Sequence, residues 1–165
     1  MIRQLLILRH AKSSWENPLL PDIDRPLNDR GRRVSHAMGK HLNKLGLEPC
    51  LVVSSPALRA WQTALLLSSI FDKPVDIHVN DLFYESSVEQ WWSGIRALPD
   101  DHSRILLVGH NPEIHQIVSE LSDFLIPKFP TCALALFNVH NESWARVQRS
   151  DFQLKELMLP KKLGM

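Results

Sequence analysis

The chain reads as an α/β protein, a three-layer α/β/α sandwich around a mostly parallel central sheet, and three observations predict it. Short apolar runs, Leu5-Leu6-Ile7-Leu8, Leu51-Val52-Val53 and Ile105-Leu106-Leu107-Val108, are bounded by charged or turn-forming residues, as strands buried on both faces of a parallel sheet are. Segments of helical period separate them, so strand and helix alternate. Each run also leads to groups suited to chemistry: Arg9-His10 after the first, Arg59 a helical turn beyond Ser54-Ser55-Pro56 after the second, and His110 beyond Gly109 after the third. Ligands of open α/β sheets bind beyond the carboxyl ends of the strands, so the three runs aim two arginines and two histidines at one crevice.

After the first strand, residues 11–31 are rich in Pro, Asp, Asn and Ser without sustained periodicity, which predicts a long ordered loop. Asn28 or Asp29 caps a helix whose buried face carries Val34, Met38, Leu42 and Leu45, and Gly46 stops it. The strand at Leu51 to Val53 leads to a cap-plus-proline start at Ser55-Pro56, with the helix carried from Leu58 to Ile70. Lys73-Pro74 breaks the chain before a short alternating strand, Val75 to Val79. Residues 81–85 form a loop into a helix around Val88 to Leu98, ended by Pro99-Asp100-Asp101. In that helix Trp91 and Trp92 face different ways, one toward the core and one toward the rim. The strand from Ile105 to Val108 is followed by a second cap-plus-proline start at Asn111-Pro112 and a helix to about Leu121. Residues Cys132 to Val139 and Trp144 to Arg149 read as a hairpin closing one sheet edge, and the basic tail from Lys155 as weakly patterned chain with frayed ends.

At 165 residues and 44% hydrophobic, the chain suits one domain over residues 1–165. With 19 basic against 18 acidic residues, no global field recruits nucleic acid or an acidic membrane surface, so any preference for anions is local. The first apolar run lacks the length and cleavage region of a secretory signal, and no stretch approaches the roughly 18 apolar residues of a membrane span. A cytoplasmic protein with no nucleic-acid or membrane partner is expected. The sequence leaves its oligomeric state open. Cys50 and Cys132 read as buried free thiols. His36, His41, His78, His102, His115 and His140 show no metal-ligand spacing, so neither metal nor other cofactor is expected.

Arg9 and Arg59 carry permanent charge on planar forks of donors that match phosphate oxygens, and two of them offset a phosphoryl dianion. Each taken singly also reads as the partner of a carboxylate such as Asp24 or Glu85. Either His10 or His110 alone reads as a satisfied imidazole. Together, at strand ends beside anion binders, they suit a division of labour in which one neutral ring attacks and a cationic neighbour stabilises charge. Trp15 and Lys12-Ser13-Ser14 directly follow His10, where they line the pocket or pack the loop.

The segments LLILRHAKSSW, RPLNDRG, SSPALRAWQTA, LFYE and VGHNP, in this order over roughly residues 2 to 140, resemble the histidine phosphatase superfamily, the group that includes phosphoglycerate mutases. They are most similar to its small SixA-type phosphohistidine phosphatases. The resemblance implies a phosphoglycerate mutase-like fold, with His10 as the nucleophile that becomes phosphorylated, Arg9 and Arg59 as phosphate clamps, and His110 as the group stabilising the transferring phosphoryl. It implies Arg25 as a further phosphate or substrate contact and Glu85 as the acid for the leaving group, Asp22 and Asp24 being rivals; Lys12 and Ser13, by their place after His10, are expected to join Arg25 in binding substrate. Ala11 departs from the family's usual glycine after the nucleophile. The chain is also too short for the insertions that cover the site in mutases. An open site suits a bulky substrate such as a phosphorylated protein, a small phosphomonoester being the alternative, hydrolysed through a phosphohistidine without metal. The rival readings are a mutase, which needs water excluded, and a non-catalytic phosphate-recognition module, which needs the arginines but not both histidines.

Overall fold

The structure, a computed structural model, describes residues 2–165. One six-stranded sheet runs in the order β3-β2-β4-β1-β5-β6. Its strands are β1 (Arg3–Arg9), β2 (Leu51–Ser54), β3 (Asp76–Val79), β4 (Arg104–Gly109), β5 (Leu134–Val139) and β6 (Phe152–Met158). The first four are parallel, β5 is antiparallel to β1, and β6 is antiparallel to β5. The helices are α1 (Asp29–Leu45), α2 (Leu58–Ser68), α3 (Val88–Arg96) and α4 (Glu113–Ser122).

The period-two pleat of β1 divides its apolar run between two cores. Leu6 and Leu8 join Val52, Leu106 and Val108 against Met38 and Leu42 of α1 and Ala60, Ala64 and Leu67 of α2. Leu5 and Ile7 join Leu51, Val53, Ile105 and Leu107 against Trp91 and Ile95 of α3 and Ile114, Ile117 and Val118 of α4. Helices before β3 thus cover one face and helices after it the other. That reversal leaves the carboxyl ends of β1, β4 and β2 side by side, and these carry the groups singled out from the sequence.

The chain departs from expectation at its edges. The hairpin exists, but its second strand is β6, whereas Trp144–Arg146 and Arg149–Asp151 are 3-10 turns. Trp144 and Val147 are apolar because they plug the core from those turns. The tail from Lys155 therefore continues a strand, followed by a 3-10 turn at Pro160–Leu163. Cys50 is exposed just before β2, while Cys132 is buried and its thiol is pushed up to about 12 by that burial.

Neither cap-plus-proline start has its expected form. α2 begins at Leu58 after Ala57, and α4 at Glu113 with Pro112 itself as the cap. The side chains that would cap are used elsewhere: Ser55 Oγ meets His110, and Asn111 Nδ2 donates to the Phe129 carbonyl. At α1, Asn28 is the cap, accepting from the Gly31 N–H at 2.8 Å, and Gly46 ends the helix at φ 65°.

Candidate active site

The loop after β1 folds back on itself before α1 begins. Ser14 N–H donates to the Pro26 carbonyl at 2.8 Å and Asn28 N–H to the Lys12 carbonyl at 3.0 Å, with Ser13 and Leu27 bridging between them. Gly31 of α1 packs so closely that a Cβ there would lie 2.1 Å from the Lys12 carbonyl oxygen. Gln62 of α2 accepts from Leu27 N–H, and Thr63 Oγ1 accepts from Ala11 N–H while donating to the Arg59 carbonyl. The segment after His10 is thereby tied to the helix that carries Arg59.

A cavity of about 260 Å³ opens at the carboxyl ends of β1 and β4. It is lined by Arg9, His10, Lys12, Ser13, Trp15, Arg25, Arg59, His110, Asn111 and Thr131. His10, Arg25, Arg59 and His110 are each more than nine-tenths buried, and the two imidazole centroids stand 4.9 Å apart.

His10 Nδ1 lies 2.7 Å from the Ala11 carbonyl oxygen. A carbonyl only accepts, so Nδ1 carries the proton and the lone pair of the neutral ring sits on Nε2. Burial is the main reason that the ring's pKa falls to about 4; the Ala11 hydrogen bond opposes the fall and the nearby arginines, Arg59 foremost, add to it. His110 Nε2 shares a 2.7 Å hydrogen bond with Ser55 Oγ, which also accepts from Ala57 N–H. Burial, then His10 and Arg59, push His110 down to about 3. The expected cationic neighbour is therefore neutral in these surroundings, and a dianion beside it would raise its pKa.

Asp22 organises the cations. Its carboxylate accepts from Arg59 Nη2 at 2.9 Å, from Arg25 Nε at 3.2 Å and from the Tyr84 hydroxyl at 2.9 Å. Arg59 Nη1 donates to the Asp22 carbonyl as well. Partial burial works against ionisation of Asp22, but the Arg59 and Tyr84 hydrogen bonds outweigh it and hold the carboxyl below its usual range. Burial and then the Asp22 contact push the Tyr84 hydroxyl up to about 12, so it stays a donor. Arg9 Nη1 donates to Phe129 O, yet Arg9 Nε, Arg25 Nη1, Arg59 Nε and His110 Nδ1 are buried without a protein partner.

Of the residues predicted from the sequence, Arg9, His10, Lys12, Ser13, Arg25, Arg59 and His110 all line this cavity. Glu85 does not. It is exposed, with a left-handed φ of 46°, beside Tyr84. Asp24 is exposed too, and the partner of Arg59 is Asp22, not Asp24 or Glu85. Tyr84, Ser55, Asn111 and Thr131 were not singled out for the site. The first three stand within recognised motifs, whereas nothing in the sequence marks Thr131. Among the described residues no cluster of three or more His, Cys, Asp or Glu has the arrangement to hold a metal, and no helix is long and apolar enough to cross a membrane.

A family model described as the histidine phosphatase superfamily (branch 1) matches residues 5–94, which include Arg9, His10, Arg25 and Arg59 but stop short of His110. An uncharacterised chloroplastic protein of Arabidopsis thaliana is 32% identical over 151 residues, covering 86% of this chain and 69% of that protein. The structure of SixA from Agrobacterium tumefaciens superposes with a TM-score of 0.82 at 27% identity, covering 97% of this chain and 99% of that one. The protein histidine phosphatase SixA complexed with tungstate gives 0.82 at 26% identity over the same shares. Crevice, topology and sequence agree: the chain belongs to the histidine phosphatase superfamily, in its SixA-type branch, and is a phosphatase.

Proposed function

We propose that residues 1–165 act as one cytoplasmic domain that removes phosphoryl groups through a phosphohistidine intermediate on His10, without metal, and that the phosphoryl arrives on a histidine of a protein. The observation that carries this reading is the state of His10: neutral, with Nδ1 committed to Ala11 and Nε2 free, in a buried cradle of guanidiniums whose remaining N–H groups lack partners. Such donors await an acceptor, and a phosphoryl group supplies three equatorial oxygens.

Nε2 attacks phosphorus in line with the leaving atom, forming the N–P bond as the bond to the leaving group breaks. Arg9, Arg59, Arg25 and His110 hold the oxygens, with Ser13 buried beside them and Lys12 exposed at the rim. Water then attacks the phosphohistidine, releasing phosphate and returning the electron pair to Nε2.

The carboxyl groups favour an imidazole leaving group over an alkoxide. An alkoxide needs a proton in the transition state, but Asp22 is held ionised and Glu85 and Asp24 are exposed and do not line the cavity. An imidazole departs neutral when solvent delivers a proton to its distal nitrogen as the N–P bond breaks, so the ring that enters carries no charge of its own. Positive charge that a metal otherwise supplies comes from the arginines.

The test is a rapidly quenched reaction with labelled substrate. Label on His10, labile in acid and stable in alkali, is expected, with turnover surviving EDTA. Label on Ser or Asp, or its persistence in His10→Asn, overturns the mechanism.

A further inference from the structure

Trp15 lines the same cavity as His10 and the arginines, yet 72% of its surface is exposed. One face of its indole is covered: the Arg25 guanidinium carbon lies 3.4 Å from the ring centroid. Arg25 is itself fixed by Asp22, and the neighbouring Ser13 and Ser14 are paired to Leu27 and Pro26. The indole is therefore supported from beneath by a buried cation, and its placement at the mouth is built in. Its bulk contributes little to the core, so its exposed area is available to whatever enters the cavity.

We propose that Trp15 determines specificity as a stacking platform, favouring phosphoryl groups carried on a flat neutral ring, imidazole or phenol, over those carried on an alkyl chain. The inference rests on the reading of His10 as nucleophile. In-line attack from the cavity floor points the leaving atom outward, past the rim where Trp15 stands. A ring bonded to phosphorus there meets an aromatic surface, whereas an alkyl carrier presents little area. The stack on Arg25 sharpens the choice. A guanidinium on one face draws the π charge toward itself, so the other face is a poor partner for a second cation and a good one for a neutral π-rich ring. Phosphoryl groups on lysine or arginine side chains are disfavoured on the same ground.

The test compares three peptides of one sequence bearing phosphohistidine, phosphotyrosine or phosphoserine, with wild type, Trp15→Ala and Trp15→Phe. Tungstate affinity reports the oxyanion cradle separately. Trp15→Ala is expected to lower kcat/KM for the ring substrates roughly 3- to 10-fold, leaving the phosphoserine peptide and tungstate affinity within about twofold, and Trp15→Phe to restore most of the loss. A loss confined to one ring substrate upholds the platform and identifies its ring. A uniform loss with weakened tungstate binding overturns the proposal, because Trp15 would then only hold Arg25. No change with any peptide overturns it too, while leaving the His10 chemistry standing. A wild-type protein that turns over none of the three overturns both.

Discussion

The two ends of β1 each carry an arginine drawn out of solvent, Arg3 buried and Arg9 half-buried, and the two are treated in opposite ways. At the amino end, Arg3 donates to the carbonyls of His102 and Glu142, pairs with Asp100 at 3.5 Å and lies over the Trp144 ring. Arg104 on the adjacent strand likewise donates to Gln4 Oε1 and to the carbonyls of Gly46 and Glu48. At the carboxyl end, Arg9 has the Phe129 carbonyl and little else, and Arg9 Nε, Arg25 Nη1 and Arg59 Nε have no protein partner. Both ends bury charge, but only one leaves donors over. A satisfied buried cation is a structural clamp; an unsatisfied cluster is a binding site held ready.

The carboxyl end of β1 should be most sensitive at His10. His10→Asn should reduce turnover by at least ~10³-fold, since it removes the nucleophile proposed above, while thermal unfolding shows a folded protein. Next comes Arg59→Lys, which keeps charge but loses the planar fork. Losing a contact that strengthens in the transition state is worth about 2–4 kcal/mol, or roughly 30- to 1,000-fold in kcat. A folded variant with near-normal kcat would make Arg59 merely the partner of Asp22.

Asp22→Asn tests the brace. An amide cannot hold two guanidiniums and the Tyr84 hydroxyl as a carboxylate does, so kcat/KM should fall by roughly 10-fold, the scale of one charge-assisted hydrogen bond. Were Asp22 the general acid, the loss would instead be far larger for alkyl than for phosphohistidine substrates.

Acid should separate the two ends as well. Unfolded histidines take up protons near pH 6.5, but folded His10 does so only at about 4 and folded His110 at about 3. The unfolded chain binds more protons between these values, so stability contributed by the neutral rings is full above about pH 6.5 and declines as pH falls toward 4 and 3. Melting temperature against pH should follow that slope, and His110→Gln should flatten it.

The smallest effect on turnover belongs to Arg3→Met. It leaves two carbonyls without their donor, a cost of about 1–3 kcal/mol in stability, with kcat unchanged. A kcat that fell with Arg3 would dissolve the distinction between the two ends.

Much of this architecture could be read from the residues because the signals were strong and local. Leu5 to Leu8 and Ile105 to Val108 lie at the sheet centre, so both faces must be apolar, and the polar groups that follow them stand out. β6 was missed because an edge strand need not look like one: Gln153, Lys155 and Glu156 are exposed, and the burial alternates poorly. The arginines and histidines were legible from their positions at strand ends. The bracing role of Asp22 was not, since it depends on how the loop between β1 and α1 brings residue 22 against residues 59 and 84. Likewise, Gly31 in the RPLNDRG motif gives no hint that it is the Lys12 carbonyl that needs its missing side chain.

The strand order also bears on how the nascent chain comes together. Leu5 hydrogen-bonds no near neighbour in sequence; its partners across the ladder are Ile105 of β4 and Phe137 of β5. During synthesis from the amino end, the strand that carries Leu5 to Leu8, all four fully buried, therefore emerges long before either flank exists. Closing such distant pairings is slow, and an unpaired strand is prone to pair with another chain in the interval. Arg9 and His10 take their backbone partners from Gly109, Cys132 and Ala133, so a ribosome stalled before Gly109 would hold a polypeptide with Arg9, Arg25 and Arg59 already translated and none of the segments that fix the backbone of His10.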